Sequence, residues 1–163
     1  FAFLRTFQKF PFLSLHIFSQ KEVMASLYTF ADAWARHDMD AVLVLFGPDP
    51  DVVVIGAGLD ERRLGRAQLR EQLLRDWAQA EVVSIEFGRS VVSSAGIVAW
   101  VTADMVVYAS IDGVHTTFSG RLTAVLEKRR GEWKWMQSHF SLPATEQAQG
   151  ESFPASLGAR KAA

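Results

Sequence analysis

The sequence contains no cysteine, which removes disulfides, zinc–thiolate centres, iron–sulfur clusters and thiol nucleophiles together. It also lacks a surplus of either charge. Its 17 basic and 18 acidic residues leave a net charge of −1, with a pI near 6.5. A domain that grips phosphates carries a clear basic excess, so nucleic acid is not an expected partner. No apolar run reaches the roughly 18 residues that a membrane helix requires, so a membrane is not expected either. The four histidines, His16, His37, His115 and His139, show no metal-ligand spacing. Neither a metal nor a cofactor is therefore expected. What the chain has in quantity is apolar surface, with 49% hydrophobic residues, twelve phenylalanines and five tryptophans. At 163 residues it is long enough to form one domain that buries roughly 68–70% of its unfolded surface.

Three regions differ in texture. Residues 1–18 hold six of the phenylalanines with Arg5 and Lys9 and no acid. The apolar run Pro11–Phe18 has no small-residue cleavage site after it. An accessory helix or arm is the expectation, and the cytoplasm the expected compartment. Residues 19–143 carry regular patterns, and residues 144–163 are polar and small, as in a loosely docked tail. Within the middle region Ser19 and Glu22 have the spacing of a capping box. Val23, Leu27, Phe30, Ala31 and Trp34 follow at helical spacing. His37-Asp38 reads as a break, Met39–Phe46 as a second short helix, and Gly47-Pro48-Asp49-Pro50 as its stop. Asp51–Gly58 and Arg62–Gly65 suggest a small hairpin. Arg66–Ala80 is a helix with Leu69, Leu73, Trp77 and Ala80 on one side, and its charged residues read as a solvated face. Four long strands are expected at Val82–Val92, Ile97–Ile111, His115–Arg129 and Glu132–Ser141. Ser94-Ala95-Gly96, Asp112-Gly113 and Arg130-Gly131 would turn them into consecutive hairpins. The expected class is α+β, with N-terminal helices packed on a curved antiparallel sheet as a cone-shaped barrel that leaves a ligand cavity.

Local text supports this order. The stretch Phe30-Ala-Asp-Ala-Trp-Ala-Arg-His-Asp-Met-Asp-Ala-Val-Leu43 resembles the first-helix junction of nuclear-transport-factor-2-like proteins. Gly131-Glu-Trp-Lys-Trp-Met-Gln-Ser-His-Phe-Ser-Leu-Pro143 is similar to their last strand. Gly65-Arg66 and Arg121-Leu-Thr123-Ala-Val-Leu126 resemble pieces of the SnoaL-like, ketosteroid-isomerase-like branch. The resemblance covers about residues 20–143. It implies a superfamily of isomerases, polyketide cyclases, dehydratases and non-catalytic association modules, so fold alone does not deliver function. The resemblance would place the isomerases' catalytic tyrosine at Phe30, which has no hydroxyl. Their base would fall near Ile55 or Gly56, where nothing takes a proton. Steroid isomerisation by that mechanism is therefore not expected.

Strand alternation offers other candidates. Trp100, Thr102, Asp104, Val106 and Tyr108 share one face, as do Arg121, Thr123 and Val125 on the next strand. Trp133, Trp135, Gln137 and His139 are expected to share a face on the last. If these faces line the cavity, His139 and Asp104 are the catalytic candidates, and Arg121 and Gln137 bind a carboxylate or oxyanion. Trp34, Phe46, Trp77, Trp100, Phe118 and Trp135 would supply apolar lining. Two readings stay open. One is a homodimeric domain that binds a small hydrophobic or carboxylate ligand, with proton-transfer chemistry on a hydrophobic carbonyl compound. The other is an oligomerisation module without catalysis. Removing residues 1–18 is expected to leave a cooperatively folding domain; loss of soluble protein on deletion would show that they cover part of the core.

Overall fold

In the computed structural model, which describes residues 11–154, three helices precede and interrupt a six-stranded sheet. Residues 1–10 and 155–163, which hold most of the Phe-rich extension and the end of the polar tail, lie outside the described residues. The helices are α1 (Pro11–Ala35), α2 (Met39–Leu45) and α3 (Gly65–Gln79). The strands are β1 (Val53–Ile55), β2 (Arg62–Leu64), β3 (Glu81–Ala95), β4 (Val98–Ile111), β5 (Val114–Arg129) and β6 (Glu132–Ser141).

The first helix begins earlier than the expected Ser19 start. Pro11 stands at its first position, where a missing N–H costs nothing. Nothing between it and Ser19 breaks the helix, so no capping box forms there. Glu22 turns to the sheet instead, where its carboxylate accepts hydrogen bonds from Trp133 Nε1 at 2.8 Å and Lys128 Nζ at 2.6 Å. The hydrogen bonds from Lys128 and Trp133 hold the Glu22 carboxyl below the usual range. At the other end the chain reverses through His37, whose φ is 56°. Asp38 then caps α2, its side chain accepting the Ala41 N–H at 3.0 Å.

The strand order is β2-β1-β6-β5-β4-β3. The four long strands form consecutive hairpins, as their turns require. Asp112-Gly113 and Arg130-Gly131 place both of their residues at positive φ, the geometry of a two-residue turn matched to strand twist. One pairing departs from the expected antiparallel sheet, because β1 runs parallel to β6. No hairpin links these two, so their direction is set by how the chain enters. Phe46 bridges Trp135 in parallel, and the Gly47 N–H donates to the Trp135 carbonyl at 2.9 Å. The sheet is therefore mixed, and curls into a half-barrel with the helices on its concave side.

Three register shifts interrupt the long strands. On β3, the register skips between Val82 and Ser84 and again between Phe87 and Ser90. On β6, Val125 faces Gln137 while Leu126 faces Trp135, so Met136 is an extra residue. Such a bulge bends its strand and reverses the alternation beyond it. Trp133 and Trp135 point inward before it; Ser138 is the next buried position after it.

The core is centred on Trp135, which has no exposed surface. Its ring stacks on Phe30 with centroids 5.0 Å apart and meets Phe46 at 5.5 Å. Its indole N–H donates to Ser26 Oγ at 2.8 Å. Truncating Trp135 to Ala should cost about 3–5 kcal/mol, the range for a fully buried large aromatic. Ser26→Ala, which removes only the hydrogen bond, should cost about 1 kcal/mol. Urea denaturation would check both, and equal costs for the two variants would show that the ring packing matters little.

Candidate functional site

The concave face of the sheet, α1, α3 and the β1–β2 hairpin enclose a cavity of about 350 Å³, within the range of small-molecule sites. Its walls are mainly apolar. Phe30 and Trp34 come from α1, Phe46 follows α2, and Met105, Val107 and Phe118 stand on the sheet. Three of the expected lining residues, Trp34, Phe46 and Phe118, are thus brought together here. Trp135 lies behind Phe30 and Phe46, buried in the core. Trp77 serves as a joint: its indole N–H donates to the Trp34 carbonyl at 3.1 Å, and its ring stacks on His37.

The expected polar cluster does not converge in this cavity. On β4 every second residue from Ala99 to Ala109 is buried, whereas Trp100, Thr102, Asp104 and Tyr108 are exposed on the convex face. The concave face takes the small and aliphatic set because helices pack closely against it. Arg121 is paired with Asp104 across the strands and is exposed as well. Asp104 lies 3.5 Å from Arg89, with half of its side chain in solvent. Gln137 and His139 also point outward, because the Met136 bulge separates them from the face of Trp133 and Trp135. Trp100 and Gln137 meet instead in a shallow outer depression with Thr102, Thr123 and Val125.

The cavity has a polar end of its own, built by α3 and the β1–β2 hairpin. Leu69, Gln72, Leu73, Asp76 and Ala80 all line it, and their spacing of three and four residues forms one stripe of the helix. Gln72 is 93% buried in the sense that only 7% of its surface is exposed. Its Nε2 donates to Asp76 Oδ1 at 2.7 Å and to Glu61 Oε1 at 3.3 Å. Its Oε1 is shut off from solvent and has no hydrogen-bond partner. Burial pushes the Asp76 carboxyl above its usual range; the Gln72 N–H opposes this, and the nearby Glu61 charge adds to it. By sequence pattern Asp76 belongs with the solvated charges of α3. The signal that distinguishes it is the interruption of an apolar stripe by two polar residues, Gln72 and Asp76.

The hairpin loop carries Glu61 to this end. Glu61 Oε2 accepts the Gly58 N–H at 2.7 Å, while its backbone carbonyl accepts the Gly56 N–H at 2.8 Å. Arg75 reaches across to Asp60 at 2.6 Å and Glu61 at 3.3 Å. Among the described residues no group of three or more His, Cys, Asp or Glu side chains could hold a metal ion, and no helix is long and apolar enough to cross a membrane.

The sequence profile of the SnoaL-like domain matches residues 23–145. The chain belongs to the SnoaL-like domain family. No curated protein matches its sequence significantly. Solved structures similar to this SnoaL-like domain include a nuclear transport factor 2-like superfamily protein from Salmonella enterica, at 18% identity and a TM-score of 0.72, covering 82% of this chain and 96% of that one. A ketosteroid isomerase-like protein from Erwinia carotovora is 20% identical with a TM-score of 0.64, over 76% of this chain and 95% of the other. A calcium/calmodulin dependent protein kinase II type association domain from Xanthomonas campestris is 22% identical with a TM-score of 0.64, over 76% and 87%. At such identities the likeness establishes the fold alone.

Because the folded protein holds the Asp76 proton more tightly than the unfolded chain does, the linkage has a definite sign. The stability cost of ionising Asp76 is absent below the ordinary carboxylate range and grows as the pH climbs through the raised value. Asp76→Asn should therefore match the parent in acid and melt at a higher temperature near neutrality. Thermal melts across that range would check it. A variant less stable than the parent at neutral pH would mean that the ionised carboxylate supports the fold.

Proposed function

We propose that this SnoaL-like domain binds a small, mainly apolar carbonyl compound in its cavity and moves a proton on it, with Asp76 as the group that takes and returns the proton. The observation that carries this reading is an apolar cavity that ends in a half-buried carboxyl whose charged form is disfavoured by its surroundings. A carboxyl raised toward the working pH is suited to both halves of such a transfer. In the first half the Asp76 carboxylate accepts a proton from a carbon beside the carbonyl, and the C–H electron pair moves onto the carbonyl oxygen as an enolate. In the second half the Asp76 acid returns a proton to carbon and the carbonyl re-forms. Phe30, Trp34, Phe46 and Phe118 receive the apolar body of the compound. Phe30, Ile55 and Gly56, the positions that the isomerase resemblance would make catalytic, line this same cavity with apolar surface.

The residues on the convex face have a different assignment. Val91, Val98, Trp100 and Tyr108 expose apolar surface around Asp104, Arg121 and Arg89. Opposite charges bordering an apolar patch suit contact with a second copy of the chain, and we assign this face to the homodimer. The same face favours the second reading, in which assembly is the whole task.

The test uses 2-acetylnaphthalene as probe, with hydrogen–deuterium exchange at its methyl group followed by NMR in heavy water. Asp76→Asn should lower the protein-dependent exchange by about 10²–10⁴-fold, while His139→Ala should leave it unchanged. Trp100→Arg should separate the copies in sedimentation without altering exchange. Exchange lost with His139 but kept without the Asp76 carboxyl would overturn the assignment, and no exchange from the parent protein, with self-association intact, would favour assembly.

A further inference from the structure

The polar end of the cavity also bears on the charge of its ligand, an inference that rests on the binding reading above. We propose that the cavity selects uncharged apolar molecules with one carbonyl or hydroxyl group and rejects carboxylates, contrary to the expectation that either would be accepted.

The electrostatics of the cavity end point this way. Two acids, Glu61 and Asp76, line it. The arginines near this end already hold partners, carboxylates for Arg75 and backbone carbonyls for Arg63 and Arg66. Arg75 is held by Asp60 and Glu61. Arg63 lines the cavity, but its guanidinium donates to the backbone carbonyls of Asp60 at 2.6 Å and Arg62 at 3.3 Å. Arg66, at the start of α3, donates from Nε to the carbonyls of Phe46 at 3.2 Å and Gly47 at 3.1 Å. A carboxylate here would meet two further carboxyl groups, while Arg63, the cation that lines the cavity, already turns Nη1 to two backbone carbonyls. In a site poorly screened by water such a like-charge encounter is costly.

An uncharged ligand meets no such penalty. Arg63 and Arg75 balance Asp60 and Glu61, so the cluster is neutral when Asp76 holds a proton. In that state Asp76 can donate to a ligand carbonyl or accept from a ligand hydroxyl. A cationic ligand would find Glu61 already paired with Arg75, and Asp76 placed where burial disfavours the charged form. The polar end thus matches a molecule that brings one hydrogen-bonding group and no charge.

Affinities for a matched set would test this by calorimetry at neutral pH: 2-acetylnaphthalene, 2-naphthol, 2-naphthoate and 2-naphthylmethylammonium. The ketone and the naphthol should bind at least about tenfold more tightly than either ion, which corresponds to about 1.4 kcal/mol. Asp76→Asn, and separately Glu61→Gln, should narrow the gap between ketone and naphthoate, with melting curves confirming that each variant folds. Naphthoate or the ammonium ion binding as tightly as the ketone would overturn the selectivity and leave the binding reading standing. An unchanged gap in both folded variants would do the same. If no member of the set binds, the binding reading fails and the selectivity fails with it.

Discussion

Trp135 sits where every part of this fold meets. Its ring is closed between Phe30 of α1 and Phe46 at the end of α2, and its N–H is satisfied by Ser26, two turns of helix earlier than Trp34. Its carbonyl receives the Gly47 N–H, which brings β1 alongside β6 and makes that pairing parallel. An indole can be buried completely only if its polar edge finds a partner, so α1 must lie with Ser26 over β6. Placed this way, α1 turns Phe30 and Trp34 toward the cavity. The bulge at Met136 follows immediately and turns the rest of β6 over. One residue thus anchors the helix layer, and its neighbour decides which side chains of the last strand face that layer.

The cavity that results is unlike the remainder of the interior. Gln72 keeps a buried oxygen without a partner here, and Asp76 is held where its charge is disfavoured. Each costs stability: the Gln72 oxygen gives up water and gains no partner, and the hydrogen bond from Gln72 only partly offsets the water that Asp76 loses. Groups of this kind are commonly kept where chemistry or recognition uses them. The surrounding ion pairs limit the cost. Arg75 pairs with both Asp60 and Glu61 at the mouth, so the hairpin can deliver an acid to the cavity without leaving an isolated charge.

The convex face follows another logic. Asp104, Arg121 and Arg89 stand in water, where ion pairs contribute little to folding, and the apolar side chains beside them are spread over neighbouring strands. Its composition resembles an association surface more than a reaction site. Similar structures carry names that span isomerase-like proteins and association domains, so architecture alone does not choose between the two faces. The choice rests on where polar groups are buried.

Much of the architecture is legible in the residues themselves. The element order, the two glycine-containing turns at positive φ and the break at His37 all follow from short-range patterns, because helix period, strand period and turn geometry are local properties of the chain. Three features are not local. Both faces of β4 carry apolar residues, Val101 and Val107 on one and Trp100 and Val106 on the other, so alternation alone cannot say which is concave; the packing of α1 decides it. The bulge at Met136 is a mismatch between two strands and exists only once β5 and β6 are paired. Asp76 looks like any charge on an amphipathic helix until the hairpin brings Glu61 to it and the sheet removes its water. The sequence by itself determined which elements form and in what order, since their propensities act over a few residues. Tertiary structure alone decided which side chains share an enclosed space, because burial and electrostatic neighbourhood arise from segments far apart along the chain.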